Sequence, residues 1–175
     1  TTFAPRVVAL LEHVKPTGRA YICIGAYPIE LAAYLTAPVP DHMTLAQVLV
    51  WTCRNTMGPA PKHQYKINWQ AILYYVGSEA PPLNCQELNE LFSVQDINAP
   101  DGRLGNRVHT WQKPDELAER FIRHATNHGE TILDPFAGTG TFLLAAARLG
   151  RIATGCELDP AMLAIAIERG CHNAS

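Results

Sequence analysis

The sequence predicts an α/β fold built on a mostly parallel sheet, and three observations point to it. From residue 114 onward the pattern runs helix, strand, helix, strand, helix, the order that right-handed crossovers between parallel strands produce. Residues 20–24, AYICI, are apolar throughout, as strands covered on both faces are. Residues 130–141, ETILDPFAGTGT, lead a strand into a glycine-rich turn that opens a helix, the local form of a nucleoside site in such folds.

The elements follow in order. Val7, Val8, Leu10, Leu11 and Val14 have helical spacing, and Lys15-Pro16-Thr17-Gly18 breaks that helix. Ala20 to Ile24 reads as a buried strand, and Pro28 to Tyr34 as a short helix. Ala46 to Trp51 and Trp69 to Val76 are the next strands, with a polar loop over 52–68 between them. Residues 77–108 are irregular, with a short helix expected from Cys85 to Leu91. Pro114 takes a first-turn helical position, and Asp115 and Glu116 complement the helix dipole. Leu117, Phe121 and Ala125 form its apolar stripe, with Gly129 as the expected terminator. Thr131 to Leu133 and Ile152 to Glu157 are strands. Thr141 to Leu149 is a helix ended by Gly150, and Asp159-Pro160 starts a last helix ended by Gly170.

The chain of 175 residues is long enough to bury a core, and its 47% apolar and 17% charged residues are the profile of a folded protein. No apolar run approaches the ~20 residues that span a bilayer, and no signal-peptide pattern opens the sequence. Cys23, Cys53, Cys85, Cys156 and Cys171 are scattered without a CxxC pair. They read as reduced thiols, with neither a disulfide framework nor a metal site. Net charge is −2, yet no acid lies between Asp41 and Glu79, an interval that holds Arg54, Lys62, Lys66, His42 and His63. A local excess of three cations there suits a phosphate backbone.

The glycine-rich turn carries the chemistry. Gly138 and Gly140 let backbone approach a ligand, and the following helix presents free N–H groups. About twenty residues on, the next strand ends at Glu157, whose carboxylate can accept from a ribose diol. A phosphate-gripping loop would read GxxxxGK followed by Ser or Thr, and a dinucleotide loop GxGxxG; this one reads GTGTFL. Asp134 at its mouth repels pyrophosphate and attracts an ammonium. S-adenosylmethionine has an ammonium, a ribose, an adenine and no phosphate, so it suits the pair Asp134 and Glu157.

These segments resemble a family. DPFAGTGT is similar to the cofactor motif of DNA methyltransferases that modify exocyclic amino groups of adenine or cytosine, and GCELDP to their ribose motif. HTWQKPDEL, residues 109–117, resembles the HPTQKP motif that precedes the cofactor motif in their circularly permuted class. KPTGRAYICIG resembles the segment downstream of their catalytic motif. VLVWTCRNTMG and YKINWQAILYYVG resemble the two C-terminal strands and the target-base pocket wall. The resemblance implies a Rossmann-like, S-adenosylmethionine-dependent methyltransferase fold, permuted and incomplete, with about five of seven strands. It implies that Asp134, Phe136, Ala137, Gly138, Thr139, Gly140 and Thr141 line the methionine and ribose. Glu157 would hold the ribose, Leu158 would border the adenine, and His109, Gln112 and Lys113 would close over the methionine end. Thr110 and Trp111 stand where the family usually has proline and threonine.

The family's catalytic motif, Asp, Asn or Ser followed by Pro-Pro and an aromatic residue, is absent from these 175 residues. The only Pro-Pro, Pro81-Pro82, is flanked by Ala80 and Leu83. Family order places the motif upstream of Thr1, so a truncated or processed chain, or a gene remnant, is expected. The resemblance also implies a single domain over 1–175. Residues 1–77 would form its target-base side, 78–108 a short recognition segment, and 109–175 its cofactor side. Trp51, Asn55 and Trp69 would border a flipped base, and Arg54, Lys62, Lys66, Arg103 and Arg107 would contact DNA. The expected partner is double-stranded DNA, with a homodimer as a further expectation, in the cytoplasm of a bacterium or for a phage, alongside restriction-modification. Two rivals stay open: a non-catalytic remnant that binds cofactor or DNA, and a methyltransferase for RNA or another amine.

Overall fold

The computed structural model describes residues 3–55, 61–85 and 87–173. Residues 56–60 of the predicted loop, and Gln86 of the predicted 85–91 helix, lie outside the described residues. The chain divides into two compact units: residues 1–83 with 87–96, and residues 84–86 with 97–175.

The first unit is a four-stranded sheet with two helices. Its strands are β1 (Arg19–Ile24), β2 (Met43–Thr52), β3 (Trp69–Gly77) and β4 (Val94–Asp96); its helices are α1 (Phe3–Ala9) and α2 (Pro28–Leu35). Strand order is β1-β3-β2-β4. Ala20, Ile22 and Ile24 of β1 alternate toward one face, as do Ala71, Leu73 and Tyr75 of β3. There they form a core with Ala4, Val7 and Val8 of α1, Leu11 of the 3-10 turn after it, and Tyr34 of α2.

A bulge between Leu45 and Gln47 re-aims β2. Because side chains alternate with period two, one extra residue sends everything beyond it to the other face. Leu45 pairs with Tyr75, but Leu49 and Trp51 pair with Ile72 and Gln70, so Leu49 and Trp51 are buried on the face opposite that core. Residues 71–75 are consequently buried on both sides.

Here the predicted pairing is corrected. The class is α/β as expected, but β1 with β3 and β3 with β2 run antiparallel, and only the short β4 lies parallel to β2. The apolar runs reported burial on two faces, which parallel sheets usually have; they carried no information about strand direction. The expected 85–91 helix is a 3-10 turn over Leu88–Leu91.

The second unit holds the alternating half. Strands β5 (Thr131–Asp134) and β6 (Ile152–Gly155) are parallel neighbours, with helices α3 (Asp115–Ala125), α4 (Thr141–Arg148) and α5 (Pro160–Glu168). Ala118 and Ile122 of α3 pack on Ala145 and Ala146 of α4, over Ile132 and Ala153 of the strands. Arg148 of α4 pairs with Asp115 at 3.4 Å and Glu119 at 2.9 Å on α3. α3 starts at Asp115, one residue later than expected, with Pro114 at the N-cap position. Gly129, expected to terminate α3, instead sits with φ +81° in the turn before β5, because the helix stops at an extended Thr126. Among the described residues no helix is long and apolar enough to cross a membrane.

Candidate cofactor site

The loop between β5 and α4 is a closed hydrogen-bonded frame. Parallel pairing sets Asp134 of β5 beside Gly155 of β6, so both strands end at the same edge, where ligands meet open α/β sheets. Cys156 N–H donates to the Asp134 carbonyl at 3.0 Å, and Ala137 N–H to the Cys156 carbonyl at 2.9 Å. Gly140 N–H closes the turn on the Ala137 carbonyl at 2.8 Å. Gly138 and Gly140 have φ of +53° and +78°, the left-handed region that a side chain disfavours. Gly140 is also tight: a Cβ there would lie 2.7 Å from the Cys171 sulfur.

Glu157 locks this frame from the β6 side. One carboxylate oxygen accepts from Gly138 N–H at 2.6 Å and the other from Asp159 N–H at 2.8 Å. Each oxygen keeps a further lone pair for a ligand hydroxyl. The Asp159 side chain accepts from Ala161 N–H at 2.8 Å and caps α5. Asp134 accepts from Phe136 N–H at 3.1 Å. Burial pushes its carboxyl above the usual carboxylate range, opposed by the Phe136 N–H, reinforced by the Glu157 charge and opposed by Lys113. Lys113 is thus close enough for its charge to act at the loop mouth.

Beside the loop lies a cleft of about 280 Å³ lined by Pro135, Phe136, Cys156, Glu157 and Leu158. Phe136 is exposed, and Leu158 is 96% exposed. Two apolar groups flank a carboxylate there, an arrangement that fits a flat heterocycle joined to a diol.

The remaining expected cofactor residues take varied places. Thr139 and Thr141 are buried under the loop. Gln112 is buried, accepting from Val108 N–H at 2.8 Å and donating to the Asn106 carbonyl at 3.3 Å, so its amide shapes the 106–112 loop. His109 accepts from Trp111 N–H through Nδ1 at 3.3 Å, and the Trp111 ring is exposed.

The expected DNA contacts divide between the units. In the first, Trp51 is 3% exposed; it belongs to the sheet and is corrected from a base contact to a core residue, because the β2 bulge turns it inward. Trp69 is half-buried against the first unit's core. Arg54 pairs with Asp96 of β4, which removes one cation from the predicted local excess of three. Asn55 is half-buried at the turn after β2, while Lys62 and Lys66 are exposed. In the second unit Arg103 pairs with Asp101 at 2.6 Å, and the hydrogen bonds from Arg103 hold the Asp101 carboxyl down at about 2. Arg107 is exposed.

Sequence reasoning missed Arg169. Its guanidinium donates from Nη1 to the Thr139 carbonyl at 2.6 Å and to the hydroxyls of Thr139 and Thr141 at 3.1 Å each. No motif marks it; only its position after α5 brings it under the loop.

Known proteins resemble this chain in sequence and in fold. M2.DpnII, a type II methyltransferase of Streptococcus pneumoniae, is 39% identical over 48% of this chain and 33% of its own length; the chain thus spans about a third of that relative. M1.MboII, a type II methyltransferase of Moraxella bovis, is 33% identical over 86% of this chain and 71% of its own length. The crystal structure of the M1.HpyAVI-SAM complex superposes with a TM-score of 0.75 over 95% of this chain and 82% of that one, at 22% identity, which speaks for the fold. The model of the DNA methylase family N6_N4_Mtase matches residues 3–168, and the chain belongs to that family.

Proposed function

We propose that the second unit binds S-adenosylmethionine and that the chain serves methyl transfer to an exocyclic amino group of adenine or cytosine in DNA. The observation that carries this reading is the acid pair at the adjacent ends of β5 and β6, with the glycine turn bonded to one member through Gly138 and Glu157. The residues fit the cofactor: Asp134 for an ammonium, Glu157 for a ribose diol, Phe136 and Leu158 for the faces of an adenine. When bound, the cofactor supplies an electrophilic methyl group on a sulfonium. The chain's own contribution is placement, which is most of what in-line transfer demands. Asp134 fixes the amino-acid end, Glu157 the sugar, and the pinned turn holds both in register.

In this reading residues 1–77 form the target-base side, 78–108 the recognition segment and 109–175 the cofactor side. Double-stranded DNA is the partner, met by Lys62, Lys66 and Arg107. Cytoplasmic location and homodimerisation rest on the family resemblance, and sedimentation velocity tests the latter.

The experiment is calorimetric titration of this chain with S-adenosylhomocysteine. One-to-one binding is expected, and Asp134→Ala should weaken it by about tenfold to a hundredfold, the worth of a charged hydrogen bond of roughly 1.5–3 kcal/mol. A folded chain that takes up no ligand refutes the proposal.

A further inference from the structure

Arg169 lies one residue beyond the stretch matched by the family model, and α5 ends at Glu168 just before it. Its side chain is mostly enclosed, 18% exposed. One nitrogen gathers three oxygens of the cofactor turn: the Thr139 carbonyl and the two threonine hydroxyls. Thr139 and Thr141 are 6% and 4% exposed, so these oxygens have little access to water as an alternative. The other terminal nitrogen lies 3.8 Å from Asp115 at the start of α3, two residues after Lys113, whose charge acts on Asp134.

The peptide between Thr139 and Gly140 is therefore held at both ends, its carbonyl by Arg169 and its N–H by the Ala137 carbonyl. Gly138, one residue earlier, is held by Glu157. A planar guanidinium can serve several acceptors in fixed directions, whereas a lysine ammonium is a single point donor on a flexible stem.

We propose that Arg169 is the positioning residue of the cofactor site: it ties the glycine turn to the start of α3 and so holds Gly138–Thr141 in place. The role rests on the cofactor reading above for its effect on affinity, but the pinning of the turn stands apart from it.

The test uses this chain with Arg169→Lys, Arg169→Met, Asp115→Asn and, as control, Glu116→Gln, which weakens the Glu116–Arg120 pair of α3 without touching Asp115 or the turn. Two quantities are read: backbone amide exchange of residues 138–141 in the ligand-free protein, and affinity for S-adenosylhomocysteine. Arg169→Lys should speed exchange at 138–141 by about tenfold, with Glu116→Gln leaving it unchanged. Its affinity should fall about tenfold, and Asp115→Asn should lower affinity without speeding exchange in the turn. If Arg169→Met does not fold, Arg169→Lys decides. Unchanged exchange in Arg169→Lys overturns the proposal. So does accelerated exchange with wild-type affinity, which reduces the residue to a structural tie. If the unaltered chain does not bind S-adenosylhomocysteine, the cofactor reading fails and the positioning role falls with it. The exchange data then still show whether the turn is pinned, so the two failures are distinguishable.

Discussion

Replacing Gly140 by alanine isolates what the cofactor turn demands of its backbone. Two costs are stacked at this position. The first is conformational: φ is +78°, and a left-handed backbone costs an L-residue about 1–2 kcal/mol. The second is steric: the new Cβ would lie 2.7 Å from the Cys171 sulfur and 3.2 Å from Ala166 Cβ, and forcing a methyl into such a packed site costs about 1–3 kcal/mol. Together they give about 2–5 kcal/mol. Gly138 is the internal control. Its φ is +53°, but a Cβ there meets nothing closer than the Phe136 carbonyl at 4.0 Å, so Gly138→Ala should cost only about 1–2 kcal/mol. The loss of unfolded-chain entropy favours alanine equally at both sites and cancels in the comparison. The assay is the urea midpoint of each single variant and of each paired with Cys171→Ala, arranged as double-mutant cycles. Removing the sulfur should recover part of the steric cost in the Gly140 background, the share not set by Ala166, and nothing in the Gly138 background. Equal costs at the two glycines, or no coupling between Gly140→Ala and Cys171→Ala, would refute the reasoning.

Further outcomes follow from the same geometry. Glu157→Gln leaves one acceptor oxygen for two backbone donors, Gly138 and Asp159 N–H; affinity for S-adenosylhomocysteine should drop about tenfold to a hundredfold, and a change within about twofold contradicts the role. Asp134 titrates above the usual carboxylate range, chiefly through burial, so the folded state holds its proton more tightly than the unfolded chain. Its contribution to stability is present below the ordinary carboxylate pKa and is lost as pH rises through its raised value. Asp134→Asn, which keeps an acceptor for Phe136 N–H, should therefore gain stability over the wild type at neutral pH, a gain that shrinks in acid; thermal melts across pH decide this. Replacing Lys62 and Lys66 together by alanine should flatten the salt dependence of DNA affinity by up to about 1.8 in log–log slope, about 0.9 for each phosphate no longer neutralised. Arg103→Ala should change that slope less, because Asp101 already neutralises it.

Much of the cofactor half was legible because its signals are local. Pro160 after Asp159, Gly150 after α4 and the glycines of the turn each constrain backbone within a few residues, and the structure has helix starts, stops and positive φ at those places. The acid pair was legible for the same reason, since Asp134 ends β5 and Glu157 follows the end of β6 by two residues. The first half was legible only as strands. An apolar run states that two faces are covered, but pairing direction is decided by which distant strand it meets, and the bulge at Leu45/Gln47 that turned Trp51 inward has no local mark. Arg54 read as a free cation because its partner, Asp96, lies 42 residues away.

The sequence alone therefore determined the α/β class, the turn and its two acids, because backbone preference and hydrophobic period act over short range. Only the tertiary structure decided the antiparallel order β1-β3-β2, the burial of Trp51, the pairing of Arg54 and the placement of Arg169 against Thr139 and Thr141. Each of these is a contact between residues far apart in the chain. Such contacts form when packing repays the entropy of closing the loop between them, and that balance belongs to the folded whole.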